Sequence, residues 1–217
     1  MCDRAAARPQ PIPVFAEMSS INPVLLLPEA LKARGEQIAT ELTGSVLLGC
    51  GQFCTSPGLV LGVRSPEFSA FLASFAARMN DQPAQTMLNA GTLQSYIAGL
   101  ERLYGHAGVS HLAGTEQVGS QAFPQLFKAD VRLLLEGDEL LQEEVFGPTT
   151  VVVEVADRAE LLRALHGLHG QLTATLIADA ADLDSCADLL ALLEQKAGRL
   201  LLNGYPTGVE VCDSMVH

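Results

Sequence analysis

The chain lacks four things: an apolar run long enough to cross a membrane, a basic patch, a cysteine framework and a glycine fingerprint for phosphates. Each absence removes a class of function. The longest apolar runs, such as Val24 to Leu27 and Val151 to Val153, fall far short of the ~20 residues a spanning helix needs. Lys and Arg number 13 against 25 Asp and Glu, a formal net charge of −12, and the basic residues are scattered, so no nucleic acid partner is expected. The cysteines, Cys2, Cys50, Cys54, Cys186 and Cys212, stand at no framework spacing, which suits a reducing, cytoplasmic setting. Cys50 and Cys54 could share a helical face, yet zinc needs two more ligands and His106 and His111 form no second pair, so no metal is expected. Gly49, Gly51 and Gly58 have the wrong spacing for a dinucleotide fingerprint, and no phosphate loop or internal repeat is present.

What remains is a folded chain. Of its 217 residues 48% are hydrophobic and 18% charged, enough for a sizeable core in one large domain or two small ones. Met1 to Pro13 reads as an arm or linker. Val14 to Ala16 reads as a short strand with Glu17 at its end, followed by the turn-rich Met18 to Pro23. A second run, Val24 to Leu27, leads to Pro28 at a first helical position, with Leu31, Ile38, Leu42 and Val46 at roughly helical spacing. Leu59 to Val63 reads as a buried strand. Ser65 and Pro66 then cap a helix whose stripe is Phe68, Phe71, Leu72, Phe75 and Met79, a core face. Asn89 to Tyr104 suggests another helix, and Val109 to Gly119 is too polar to assign.

In the last third, Leu126 to Ala129 reads as a strand and an acidic helical stretch carries Leu133, Leu134, Leu140 and Leu141. The β-branched Thr149 to Val155 is a strand covered on both faces. A helix from Arg158 to Leu168, a strand from Leu172 to Ile177, a helix from Ala180 to Ala197 stopped by Gly198, and a strand from Arg199 to Leu202 follow. Cys186 falls on the apolar stripe of the last of these helices. This alternation predicts parallel pairing with right-handed crossovers, hence a layered α/β domain.

The chemistry gathers in Gly49-Cys50-Gly51-Gln52-Phe53-Cys54-Thr55-Ser56-Pro57-Gly58, where a helical pattern meets a strand. A thiol held at such a junction near backbone amides is suited to react as a thiolate. Cys54 is the candidate nucleophile, although a cysteine taken alone is more often a small buried hydrophobe.

Four segments, Phe15 to Pro23, Gly51 to Thr55, Glu143 to Pro148 and Leu202 to Glu210, resemble in this order the aldehyde dehydrogenase superfamily. The first and last are similar in form to the branch of α-ketoglutaric semialdehyde (2,5-dioxovalerate) and fatty aldehyde dehydrogenases. The resemblance implies a layered αβα catalytic domain with a mainly parallel sheet over residues 23–217. It further implies that residues 1–22 are an arm ending a nucleotide-binding domain otherwise missing, and that the chain is a fragment cut at its C-terminal end too. By position in the family, Cys54 is the nucleophile and Glu17 the general base for deacylation. Glu144 binds the nicotinamide ribose of NAD or NADP, Phe146 packs by the ring, and Glu143 is a solvated neighbour. Asn203 and Gly204 shape the loop facing the thiol, and His217 matches a histidine near the active site. Leu59 stands where many relatives have arginine. The implied reaction is oxidation of a small aldehyde to an acid through a thiohemiacetal and a thioester, in a homo-oligomer. Two other readings stand beside it: an inactive catalytic-domain fragment that binds no cofactor, and a cysteine hydrolase with His106 or His111 as base.

Overall fold

A computed structural model describes residues 1–14, 18–115 and 119–208. Seven strands form one sheet in the order β3-β4-β5-β2-β1-β6-β7, where β1 is Val24–Leu26, β2 Leu59–Val63, β3 Val109–Ala113, β4 Gln125–Ala129, β5 Thr149–Val155, β6 Gln171–Ile177 and β7 Ala197–Leu202. Every pairing is parallel except β3 with β4. The helices are α1 (Cys2–Ala6), α2 (Pro28–Leu47), α3 (Pro66–Asn80), α4 (Ala90–Gly105), α5 (Arg132–Leu135), α6 (Arg158–Gly167), α7 (Ala180–Leu183) and α8 (Ala187–Lys196).

The pleat sorts the strand side chains onto two faces. Val24, Leu26, Val60, Val152 and Ile177 pack against Ile38, Leu42 and Val46 of α2 and Phe68, Phe71 and Phe75 of α3. Leu25, Leu61, Val151 and Val153, on the other face, join Tyr96 and Leu100 of α4, Leu165 of α6 and Leu193 of α8. Two cores flank one sheet, which is the αβα layering that the strand–helix alternation predicts.

Local chemistry explains where elements begin and end. Ser65 accepts from the Phe68 amide ahead of Pro66, so the cap expected there is realised, and Asn89 caps α4 through the Thr92 amide. The helix read over Ala180 to Ala197 is broken into α7 and α8. The Asp182 carboxylate accepts from Asp179, Glu29 and Ala30 amides, and the Asp182 carbonyl accepts from the Ser185 hydroxyl, which ends α7 early. Gly198 stops nothing, since β7 begins at Ala197. The acidic stretch forms only α5 and a 3₁₀ turn at Glu139–Leu141, split by Gly137 at φ +73°. The polar segment left unassigned contains β3, a mostly exposed edge strand whose pattern is therefore weak. The N-terminal arm holds the short α1. The strand read at Val14 to Ala16 lies outside the described residues but for Val14, which is in none.

Glu154 on β5 links the sheet's polar edge, 2.6 Å from Lys128 and 2.7 Å from Arg64. Burial raises its carboxyl, but hydrogen bonds and charge from Lys128 and Arg64 outweigh that and hold it below the ordinary 4.5. A carboxyl lowered on folding contributes stability that is complete above its unfolded value and is lost as pH falls through the folded one. Urea midpoints measured below pH 4.5 should therefore fall with acidification less steeply in Glu154→Gln than in the parent; parallel curves would contradict this.

Candidate active site

Because β1, β2, β5 and β6 run in one direction, the segments that enter them meet at one edge of the sheet. Asn22 precedes β1, Cys54 to Gly58 precede β2, Gly147 and Pro148 precede β5, and Gln171 opens β6. The site is built at these amino ends.

The thiol segment is delivered by a reversal after α2. Gly49, Cys50 and Gly51 all adopt left-handed backbone, at φ +57°, +61° and +65°, a conformation glycine takes without cost and cysteine does not. Cys50 is buried, and burial pushes its thiol pKa up, so it stays a neutral core group. Cys54 follows in a turn closed by the Ser56 amide on the Phe53 carbonyl at 2.9 Å. It is half-buried and carries a thiol rather than a disulfide. Gln52 ties the turn outward, accepting from the Leu88 amide at 2.8 Å.

Close backbone contacts join this turn to the other segments. A Cβ on Gly51 would lie 2.1 Å from the Gly147 carbonyl oxygen, and one on Gly147 would lie 2.3 Å from the Tyr96 ring. The Gly58 amide donates to the Ile21 carbonyl at 2.8 Å. Asn22, fully buried and itself left-handed at φ +46°, donates from Nδ2 to the carbonyls of Cys54 and Ser56, each at 2.9 Å. Its Oδ1 accepts from the Thr173 hydroxyl at 3.0 Å. Gln171 Oε1 accepts from the Ile21 and Asn22 amides at 2.8 and 3.2 Å.

The Gly51–Gly147 contact sets Glu143 to Phe146 beside the thiol turn. Phe146 is 36% exposed and Glu144 half-buried; Glu143 is exposed and pairs with Arg102 at 2.9 Å. Glu144 lines a cavity of about 30 Å³ together with Ser20, Ser56 and Thr149. Among the described residues the buried Ser56 hydroxyl has no hydrogen-bond partner, and a space of that size accommodates a water.

Glu17 and His217 lie outside the described residues. Asn203 does not face the thiol: its amide bonds the Leu176 carbonyl, and its Oδ1 accepts from the Ala178 amide at 2.9 Å and from Arg34 at 2.6 Å. Those contacts lie at the carboxyl end of β6, the opposite edge of the sheet. From there the chain runs back along α2, through the Tyr205 hydroxyl on the Ile38 carbonyl at 3.4 Å and Ser45 with Thr207 at 2.6 Å, and brings Gly208 to Leu48. Thr207 and Gly208 thus lie against the end of α2 and the reversal that follows it. His106 pairs with Asp138 at 3.2 Å and His111 with Gln125 at 2.8 Å, its ring tilted against Tyr104 and edge-on to Phe127. Neither central histidine is placed to serve Cys54 as a base. Among the described residues no cluster of His, Cys, Asp or Glu could hold a metal ion, and no helix is long and apolar enough to cross a membrane.

The architecture matches known structures. A γ-glutamyl-γ-aminobutyraldehyde dehydrogenase from Burkholderia cenocepacia superposes with a TM-score of 0.73 at 20% identity, covering 89% of this chain and 40% of that one. The fold is that of an aldehyde dehydrogenase catalytic domain. A proline utilization A protein gives a TM-score of 0.75 at 20% identity over 97% of this chain and 21% of its own. In sequence, the chain is 52% identical over 98% of its length to the α-ketoglutaric semialdehyde dehydrogenase of Acinetobacter baylyi. It is 49% identical to α-ketoglutaric semialdehyde dehydrogenase 2 of Azospirillum brasilense. It spans 41% of the length of each of these aldehyde dehydrogenases. No family model matches.

Asn22 is the residue that sequence reasoning overlooked. It lies in the turn-rich Met18 to Pro23, where its residue type signals only a turn. Its signal was an asparagine before proline at a strand entrance, which does not say what the side chain reaches.

Proposed function

We propose that the chain carries the thiol half of an aldehyde dehydrogenase acting on a small semialdehyde of the α-ketoglutaric type, with NAD or NADP. The observation that carries this reading is the convergence of Ser20 to Pro23, Gly51 to Thr55 and Gly147 on the turn holding Cys54. Cys54 adds as thiolate to the aldehyde carbon, and its backbone amide stabilises the oxyanion of the thiohemiacetal. Once that carbon is oxidised to the thioester, Glu17 takes a proton from water as it attacks. The acyl–sulfur bond breaks, and acid and thiol are released. A bound nicotinamide supplies the hydride acceptor. Glu144 and Phe146 fit its ribose end, since a half-buried carboxylate and a partly exposed ring stand together beside the thiol turn. A homo-oligomer belongs to the same reading.

Nucleophilicity can be tested without cofactor. Incubated with an activated phenyl ester, the chain should take up one acyl group with release of the phenolate, mapped by peptide mass spectrometry to Cys54. Acylation spread over Cys2 instead would reject Cys54 as the nucleophile. Calorimetric titration with NAD and with NADP separates a chain that binds cofactor from the alternative of a catalytic-domain fragment that does not.

A further inference from the structure

We propose that Asn22 is a positioning residue for Cys54, an inference that rests on the nucleophile reading above. Both hydrogens of its side-chain amide are engaged, one on the carbonyl of residue 54 and one on that of residue 56, each at 2.9 Å. These two carbonyls bracket the turn just after the thiol, so a single rigid group fixes the turn's orientation. No other residue type of this size offers two donors and an acceptor at once.

The group is itself held. Asn22 is fully buried, its oxygen accepts from Thr173 on β6, and Gln171, also on β6, accepts from its backbone amide. The left-handed backbone at φ +46° suits asparagine and aims the side chain at residues 32 and 34 positions ahead in the chain. Buried polar groups with every donor and acceptor matched give a single arrangement. Here that arrangement holds the negative ends of two peptide groups on Asn22. Released, those carbonyls can swing toward the sulfur, where they disfavour the thiolate.

The test compares the parent with Asn22→Gly, Asn22→Asp and Gln171→Met. Glycine keeps the left-handed backbone and removes the donors. Aspartate keeps the shape and replaces the donors with acceptors. Alkylation of Cys54 by iodoacetamide, which is uncharged, is followed against pH by peptide mass spectrometry, with Cys2 as reference; hydrogen exchange is read over residues 52–58. Each folded Asn22 variant should alkylate Cys54 about tenfold more slowly at pH 7, as for a rise of about one unit in the midpoint of the pH profile. Exchange over the turn should quicken. Gln171→Met should move both readouts the same way by less.

A folded Asn22 variant with the parent's pH profile and exchange would overturn the proposal. So would Asn22 variants that fail to fold beside a folded Gln171→Met unchanged in both readouts, since Asn22 would then serve the fold alone. Parent Cys54 reacting no faster than Cys2 would reject the nucleophile reading, while the exchange measurement would still decide whether Asn22 holds the turn.

Discussion

Replacing Gly51 with alanine is expected to destabilise the fold by about 3 kcal/mol, lowering the melting temperature by roughly 6–12 °C for a chain of this size. Two independent costs add. Left-handed backbone costs an alanine about 1–2 kcal/mol relative to glycine. The new methyl would also meet the Gly147 carbonyl at 2.1 Å and the Pro148 nitrogen at 2.6 Å, backbone atoms that cannot rotate aside, and overpacking of that kind costs about 1–3 kcal/mol. Gly44 provides the opposite control. It is exposed inside α2 with no atom within 4 Å of a Cβ, so Gly44→Ala should gain about 1 kcal/mol. Differential scanning calorimetry of the two variants checks both signs, and equal melting points would mean that the contact between the two segments is not held in solution.

Removing the thiol should have the largest functional effect. In Cys54→Ala no acyl adduct should form at position 54, and phenolate release should fall by about 10⁴-fold or more, the scale seen when a catalytic nucleophile is deleted. Cys54→Ser should rescue little, because a hydroxyl is far less acidic than a thiol and the described residues place no histidine beside it to act as base. The side chain is small and half-buried, so neither change should shift the melting temperature by more than a few degrees. Stopped-flow phenolate release with intact-mass analysis reads both. Unchanged release in Cys54→Ala would assign the chemistry to another group.

Periodicity made most of the layered fold legible. The strands β2 and β5 begin and end where the sequence indicates, because runs such as Val151 to Val153 are apolar on both faces and fit only a covered strand. The aromatic stripe of α3 lies fully in the core, as its spacing implies. Edge strand β3 escaped because its residues alternate only weakly. The break between α7 and α8 escaped because its cause, the Asp182 carboxylate reaching the amino end of α2, is a contact between residues about 150 positions apart. The site was legible as segments and not as geometry. Family resemblance singled out Cys54, Glu144 and Phe146, while the partners of Asn22, the approach of Gly51 to Gly147 and the position of Asn203 at the far edge all depend on tertiary packing.

The strand order has a consequence in time. β1 lies between β2 and β6, and the amides of the Ile21–Asn22 segment wait for Gln171, 150 residues further along the chain. At typical rates of synthesis that stretch takes about 8–30 s to emerge. For the last 117 of those residues, about 6–23 s, the nascent chain carries Cys54 without the strand that completes the support of its turn, and pairing over so long a separation is intrinsically slow. The thiol's surroundings are therefore among the last parts of the molecule to be assembled, and its exposure to oxidants is greatest before the protein is finished.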